Sequence, residues 1–87
     1  DAFVAYVNGV EIARANIGEV GVVPSFDQIA NTPREATMYS GGFPEYFFIE
    51  KSVLAPLLNP GENVLAIQVH NQSSTSSDMS AIPFFSF

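Results

Sequence analysis

The stretch that decides the fold is Phe3-Val4-Ala5-Tyr6-Val7-Asn8-Gly9-Val10-Glu11-Ile12-Ala13-Arg14. Asn-Gly between two β-prone runs is a strong hairpin signature, because both residues of the tightest hairpin turn need positive φ. A two-residue loop pairs Val7 with Val10. Counting outward sets Tyr6 against Glu11, Ala5 against Ile12 and Phe3 against Arg14. Val7, Val10, Ala5 and Ile12 then share an apolar face, with Tyr6 and Glu11 on the other.

Working outward, the next clear strand is Asn63-Val64-Leu65-Ala66-Ile67-Gln68-Val69-His70-Asn71. Leu65, Ile67 and Val69 fall on one side and Val64, Ala66, Gln68 and His70 on the other, the period of two that a strand imposes. Tyr46-Phe47-Phe48-Ile49, following Pro44, reads as a buried strand, and Ile82-Pro83-Phe84-Phe85-Ser86-Phe87 as a last strand with Pro83 at its beginning or edge. Thr37-Met38-Tyr39 fits one short strand, and Val53 to Leu58 a helical turn that stops before Pro60-Gly61. Between Ala15 and Pro44, repeated Gly and Pro break every periodic pattern. A connection that long carries function or serves as an irregular cover. About five short strands, one helical turn, long loops and no βαβ unit predict an all-β antiparallel β-sandwich or jelly roll.

Composition narrows the partners. With 87 residues the chain is one small module, 1–87, and 47% apolar with 14% charged residues it is not a disordered one. The net charge is −6 and Arg14, Arg34 and Lys51 are the only cations. Three scattered cations cannot neutralise a run of phosphates, which excludes nucleic acid and argues against an anionic membrane surface. No apolar run reaches the roughly 18 residues of a membrane span. There is no cysteine, hence no disulfide, thiol nucleophile or thiolate metal site. The chain opens at Asp1, already inside a strand-like run, and reads as a fragment of a larger protein that is incomplete at its N-terminus.

Two segments carry a resemblance. Asp1 to Arg14, and Pro60-Gly61-Glu62-Asn63-Val64-Leu65-Ala66-Ile67-Gln68-Val69-His70-Asn71 with Ser76-Ser77-Asp78, resemble paired blocks of galactose-binding-like jelly-roll modules. Such modules occur in large bacterial secreted proteins, beside lamin-tail-like domains or a spore-coat-H-type kinase region. Glu45-Tyr46-Phe47-Phe48-Ile49 is similar to the version in Bacteroidetes. The resemblance implies a β-sandwich, secretion to the cell surface and an accessory, non-enzymatic role, with any kinase region elsewhere. Family modules carry further strands before the first block. An unpaired sheet edge here invites strand addition from another segment or chain.

Among side chains with chemistry, His70 is followed by Ser73, Ser74, Ser76, Ser77 and Asp78. A Ser-His-Asp site needs a base within reach of the nucleophile, an acid orienting the ring and an oxyanion hole. The plainer reading is a histidine ending a strand and a Ser/Asp loop held by its own turns. Asp27, Glu35, Glu45, Glu50, Glu62 and Asp78 leave open a structural Ca²⁺ assembled across loops, although no EF-hand spacing occurs and no cofactor is required. Nothing in the sequence sets two of these acids at the separation glycoside hydrolysis needs. Tyr6, Tyr39, Phe43, Tyr46, Phe47 and Phe48 would stack on sugar faces if exposed, but core is the favoured reading of these rings. Arg14 and Arg34 suit either an acidic sugar or a surface ion pair.

The expected function is therefore a non-catalytic extracellular accessory module. It binds a glycan or matrix protein through loops, with Tyr39, Phe43, Asn71 and Asp78 as contacts. The alternative is a structural module joining a filament or larger surface complex by strand pairing.

Overall fold

The computed structural model describes residues 1–86 and contains one three-stranded antiparallel sheet. Strand β1 (Ala2–Val7) lies between β2 (Val10–Ala15) and β3 (Leu65–His70). The hairpin forms as the Asn-Gly pair dictates: Asn8 has φ 49° and Gly9 φ 84°, the positive values of a type I′ turn. Val7 pairs with Val10 and Tyr6 with Glu11. Beyond that point the register departs from simple counting. Ala5 pairs with Ala13, Val4 with Arg14 and Phe3 with Ala15, so Ile12 is the extra residue of a β-bulge. The expected Ala5–Ile12 and Phe3–Arg14 pairs are not made.

The bulge matters because side chains alternate across a strand. Glu11 and Arg14, three residues apart, would otherwise face opposite sides. One inserted residue puts both on the side of Val4 and Tyr6, where Arg14 Nε donates to Glu11 Oε1 at 2.5 Å. The pair then holds the chain that follows. Arg14 donates to the carbonyls of Ile17 and Val22, and Glu11 Oε2 accepts from the Gly21 amide.

That following chain, residues 16–32, covers the face of β1 that presents Ala2, Val4 and Tyr6. Ala2, Val4, Ile17 and Ala30 form the buried cluster, with Tyr6 packed against it. The cover has no regular structure, so its carbonyls need partners from the sheet's side chains. Gln68 Nε2 donates to Pro24 O at 3.2 Å and His70 Nδ1 to Gln28 O at 2.6 Å, while the Ala30 amide bonds Asn71 O at 2.9 Å. Asn16, in the left-handed region at φ 61°, closes the loop by donating to Thr32 O and to Asp1 O.

The opposite face of β1 presents Phe3, Ala5 and Val7. The Phe47 ring meets Phe3 edge-on, with centroids 4.9 Å apart at 84°. At the other end Asn8 Nδ2 donates to Leu57 O at 2.7 Å. Ala5 and Val7 on this face are buried.

Several expected elements differ. The helical turn comes earlier than expected, as α1 (Lys51–Leu54) and a 3₁₀ turn at Ala55–Leu57. Thr37–Ser40 is a 3₁₀ turn, not a strand. Residues 46–49 and 82–86 are not strands, and Phe87 of the expected last strand lies outside the described residues. Three strands form where about five were expected, and among the described residues no second sheet completes a sandwich or jelly roll. A strand needs a neighbour to bond with, and no backbone–backbone hydrogen bond reaches residues 44–49 among the described residues. The radius of gyration, 13.8 Å, exceeds the roughly 12 Å of a compact chain of this length.

Candidate functional site

A cleft of about 60 Å³ opens where the loop after Pro33 meets the loop after Asn71, lined by Asp1, Arg34, Glu35, Tyr39, Asp78 and Ser80 among others. One carboxylate brings the two loops together. Asp1 Oδ1 accepts from the Arg34 amide at 2.8 Å and Oδ2 from the Gln72 amide at 2.9 Å. Residues 34 and 72 are far apart in sequence, and Asp1, just before β1, clamps both to the end of the sheet. Its acceptor positions are used in scaffolding, so it shapes the cleft.

Around this clamp the polar groups differ in availability. Arg34 Nη2 is ion-paired with Glu45 Oε2, which ties the loop to the aromatic run 43–48. Asp78 is exposed, and its only hydrogen bond among the described residues is a long one, 3.4 Å, from Ser77 Oγ. The Ser-rich segment does not lock around Asp78. Its other contacts are internal, Ser76 N to Ser73 O and Ser73 Oγ with Thr75 Oγ1. The carboxylate that organises this region is Asp1. Nothing in the spacing of a single Asp ahead of a strand singles it out.

Tyr39 borders the cleft with its side chain 83% exposed, and Phe43 is 86% exposed nearby in sequence. The favoured expectation for these rings was core, and the structure reverses it. Thr37–Ser40 is a turn closed by Gly41 at φ 84°, and Thr37 Oγ1 donates to Phe43 O at 2.5 Å. The backbone is held while both rings stay exposed. Tyr46 and Phe48 are likewise exposed, and among the described residues only Phe47 of that run meets another ring, that of Phe3.

Of the four expected contacts, Tyr39 and Asp78 line the cleft and Phe43 and Asn71 do not. Asn71 is half-buried at the end of β3, and its Oδ1 is a buried acceptor without a partner among the described residues. His70 is 4% exposed. A carbonyl only accepts, so Nδ1 carries a proton in the bond to Gln28 O, and Nε2 is buried without a partner among the described residues. No Ser, Asp or Glu bonds this ring among the described residues, so the geometry of a Ser-His-Asp site is not assembled. Arg14 is enclosed in the strut described above and is not a free cation for an acidic sugar. Among the described residues no three His, Asp or Glu side chains cluster as metal ligands.

A second, larger cleft of about 220 Å³ runs beside β2, lined by Glu11, Ile12, Ala13, Arg14 and Val20. Its polar groups are the Glu11–Arg14 strut, already committed to the loop above it. Comparison with protein-family models, curated proteins and solved structures finds no match for this chain.

Proposed function

We propose that this chain is a non-catalytic accessory module of a secreted, cell-surface bacterial protein, and that it binds a glycan through the loops around Asp1. In this reading the sheet β2-β1-β3 is one layer of a sandwich or jelly-roll architecture. The observation that carries the proposal is the exposed Tyr39 ring at the rim of a polar cleft. Sugars present an apolar face of C–H groups that stacks on an aromatic ring, and hydroxyls that need fixed hydrogen-bonding groups beside it. Tyr39 supplies the ring, and Asp78, Ser80 and Glu35 supply the polar groups. Phe43 offers a second exposed ring for a longer chain.

The size of the cleft supports surface binding. Pockets that enclose a small molecule run to roughly 300–1,000 Å³, and this one is about 60 Å³. It admits one hydroxyl or exocyclic group of a sugar laid across Tyr39, as a binding module requires. The environment of His70, buried and bonded to a carbonyl, supports the non-catalytic part of the reading. Extracellular protein is the alternative ligand, through the same exposed rings.

The test is a glycan-array screen with and without Ca²⁺, followed by titration of the best ligand against Tyr39→Ala, Phe43→Ala and Asp78→Asn. Loss of a stacked ring weakens binding by roughly tenfold, on the scale of aromatic contacts of about 1–1.5 kcal/mol. Asp78→Asn lowers affinity while Asn71→Ala leaves it unchanged. Silence of the whole array with a folded sample, or full affinity in Tyr39→Ala, refutes the glycan reading. Dependence on Ca²⁺ would bring the loop carboxylates into the site.

A further inference from the structure

Asn8-Gly9 makes the hairpin turn, and the same pair carries a reaction of its own. Among the asparagines of the chain only Asn8 precedes a glycine. Glycine has no Cβ to hinder its amide nitrogen, so that nitrogen can reach the side-chain carbonyl carbon of the residue before it. Here the nucleophile is free. The Gly9 amide donates no hydrogen bond among the described residues, Gly9 is exposed, and an added Cβ would meet nothing within 4 Å.

The electrophile is held. Asn8 Nδ2 donates to Leu57 O at 2.7 Å and to Asn63 Oδ1 at 2.9 Å, and Oδ1 accepts from the Val64 amide at 2.9 Å. The Asn8 backbone amide in turn donates to Val64 O at 2.9 Å. Backbone and side chain of Asn8 are thus both fastened to the segment 57–64. Attack makes Cγ tetrahedral and expels Nδ2, so it cannot proceed without disrupting the bonds of that side-chain amide.

We propose that Asn8-Gly9 is a self-modification site, held unreacted by its bonds to residues 57–64 and released when that segment lets go. In the reaction the Gly9 nitrogen bonds to Asn8 Cγ, the Cγ–Nδ2 bond breaks, and ammonia leaves with the proton that Gly9 gives up. Water then opens the five-membered imide at either carbonyl, leaving aspartate or isoaspartate at position 8. Both products oppose reclosure. In aspartate an acceptor oxygen takes the place of Nδ2, so Leu57 O and Asn63 Oδ1 lose their donor and face a carboxylate. In isoaspartate the main chain runs through Cβ, an extra backbone atom in a turn whose two residues set the Val7–Val10 pairing. The reaction therefore records an opening of the 57–64 segment and makes it permanent. It involves neither Tyr39 nor Asp78, so it stands or falls independently of glycan binding.

Incubation of the 87-residue chain at neutral pH, with peptide mapping by mass spectrometry, compares Asn8 with the same residue in a synthetic peptide of residues 4–12. The three side-chain bonds predict conversion about thirtyfold slower in the folded chain than in the peptide. Asn63→Ala removes one partner of Nδ2 and raises the rate in the folded chain at least about twofold, with circular dichroism confirming the fold. Asn8→Asp keeps a residue that tolerates positive φ and lowers the folded-to-unfolded ratio in urea at least about tenfold. If Asn63→Ala does not fold, the comparison with the peptide and the Asn8→Asp titration carry the test. Equal rates in the folded chain and the peptide overturn the proposal, as does an Asn8→Asp chain as stable as the natural one. Suppression by about a thousandfold or more also overturns it, because release would then require global unfolding instead of a local opening.

Discussion

Replacing Asn8 tests how the hairpin is tied to the rest of the chain. Asn8 holds the left-handed turn and also bonds a distant segment. Its Nδ2 donates to Leu57 O at 2.7 Å and Asn63 Oδ1 at 2.9 Å, and its Oδ1 accepts from the Val64 amide at 2.9 Å. Asn63 in turn bonds Asn59 and Gly61, so one asparagine organises the approach to β3 and the other fastens it to the turn. Asn8→Gly keeps the positive φ and removes the side-chain bonds. The bond to Leu57 is partly buried and contributes about 1 kcal/mol; the two exposed ones contribute about 0.5 kcal/mol each. Asn8→Gly is therefore expected to lower stability by about 2 kcal/mol. Asn8→Ala loses the same bonds and adds about 1 kcal/mol for a Cβ in the left-handed region, about 3 kcal/mol in total. Urea unfolding followed by far-ultraviolet circular dichroism measures both. A loss of about 2 kcal/mol corresponds to a fall in Tm of roughly 8–16 °C for a domain this small. If Asn8→Gly matches the wild type within about 0.5 kcal/mol, the side-chain staple contributes nothing and the reasoning fails.

Two further predictions concern the core and the clamp. Val4 is fully buried against Ile17 and Ala30, so Val4→Ala is expected to cost about 2–3 kcal/mol, whereas Val22→Ala, at an exposed loop position, stays within about 0.5 kcal/mol; the same urea titrations distinguish them, and equal effects would mean the loop is not a cover. Asp1→Ala removes the acceptor of two backbone amides, so hydrogen exchange at Arg34 and Gln72 should accelerate about tenfold, with a global loss of only about 1 kcal/mol; unchanged exchange at both amides would remove Asp1 as the organiser of the cleft.

Local chemistry determined a well-defined part of this protein. Asn8-Gly9 specifies the turn because few residue pairs tolerate two positive φ values, and the alternation from Leu65 to His70 specifies a strand because its period survives without context. Charge and cysteine content exclude partners by the same context-free logic. Tertiary structure decided the rest, because it turns on which partner each backbone group finds. Tyr46-Phe47-Phe48-Ile49 has strand composition but meets no neighbouring strand among the described residues, so it forms no strand and leaves the Tyr46 and Phe48 rings exposed. One inserted residue at Ile12 carried Arg14 to the side of Glu11, converting a cation that could have bound ligand into a strut for the covering loop. The cleft arose in the same way. Tyr39 and Asp78 share it only because Asp1 accepts amides from two loops that nothing in their own sequences brings together. Turn and strand preferences act over a few residues, whereas a bulge, a clamp and a missing strand partner are settled by contacts between segments tens of residues apart.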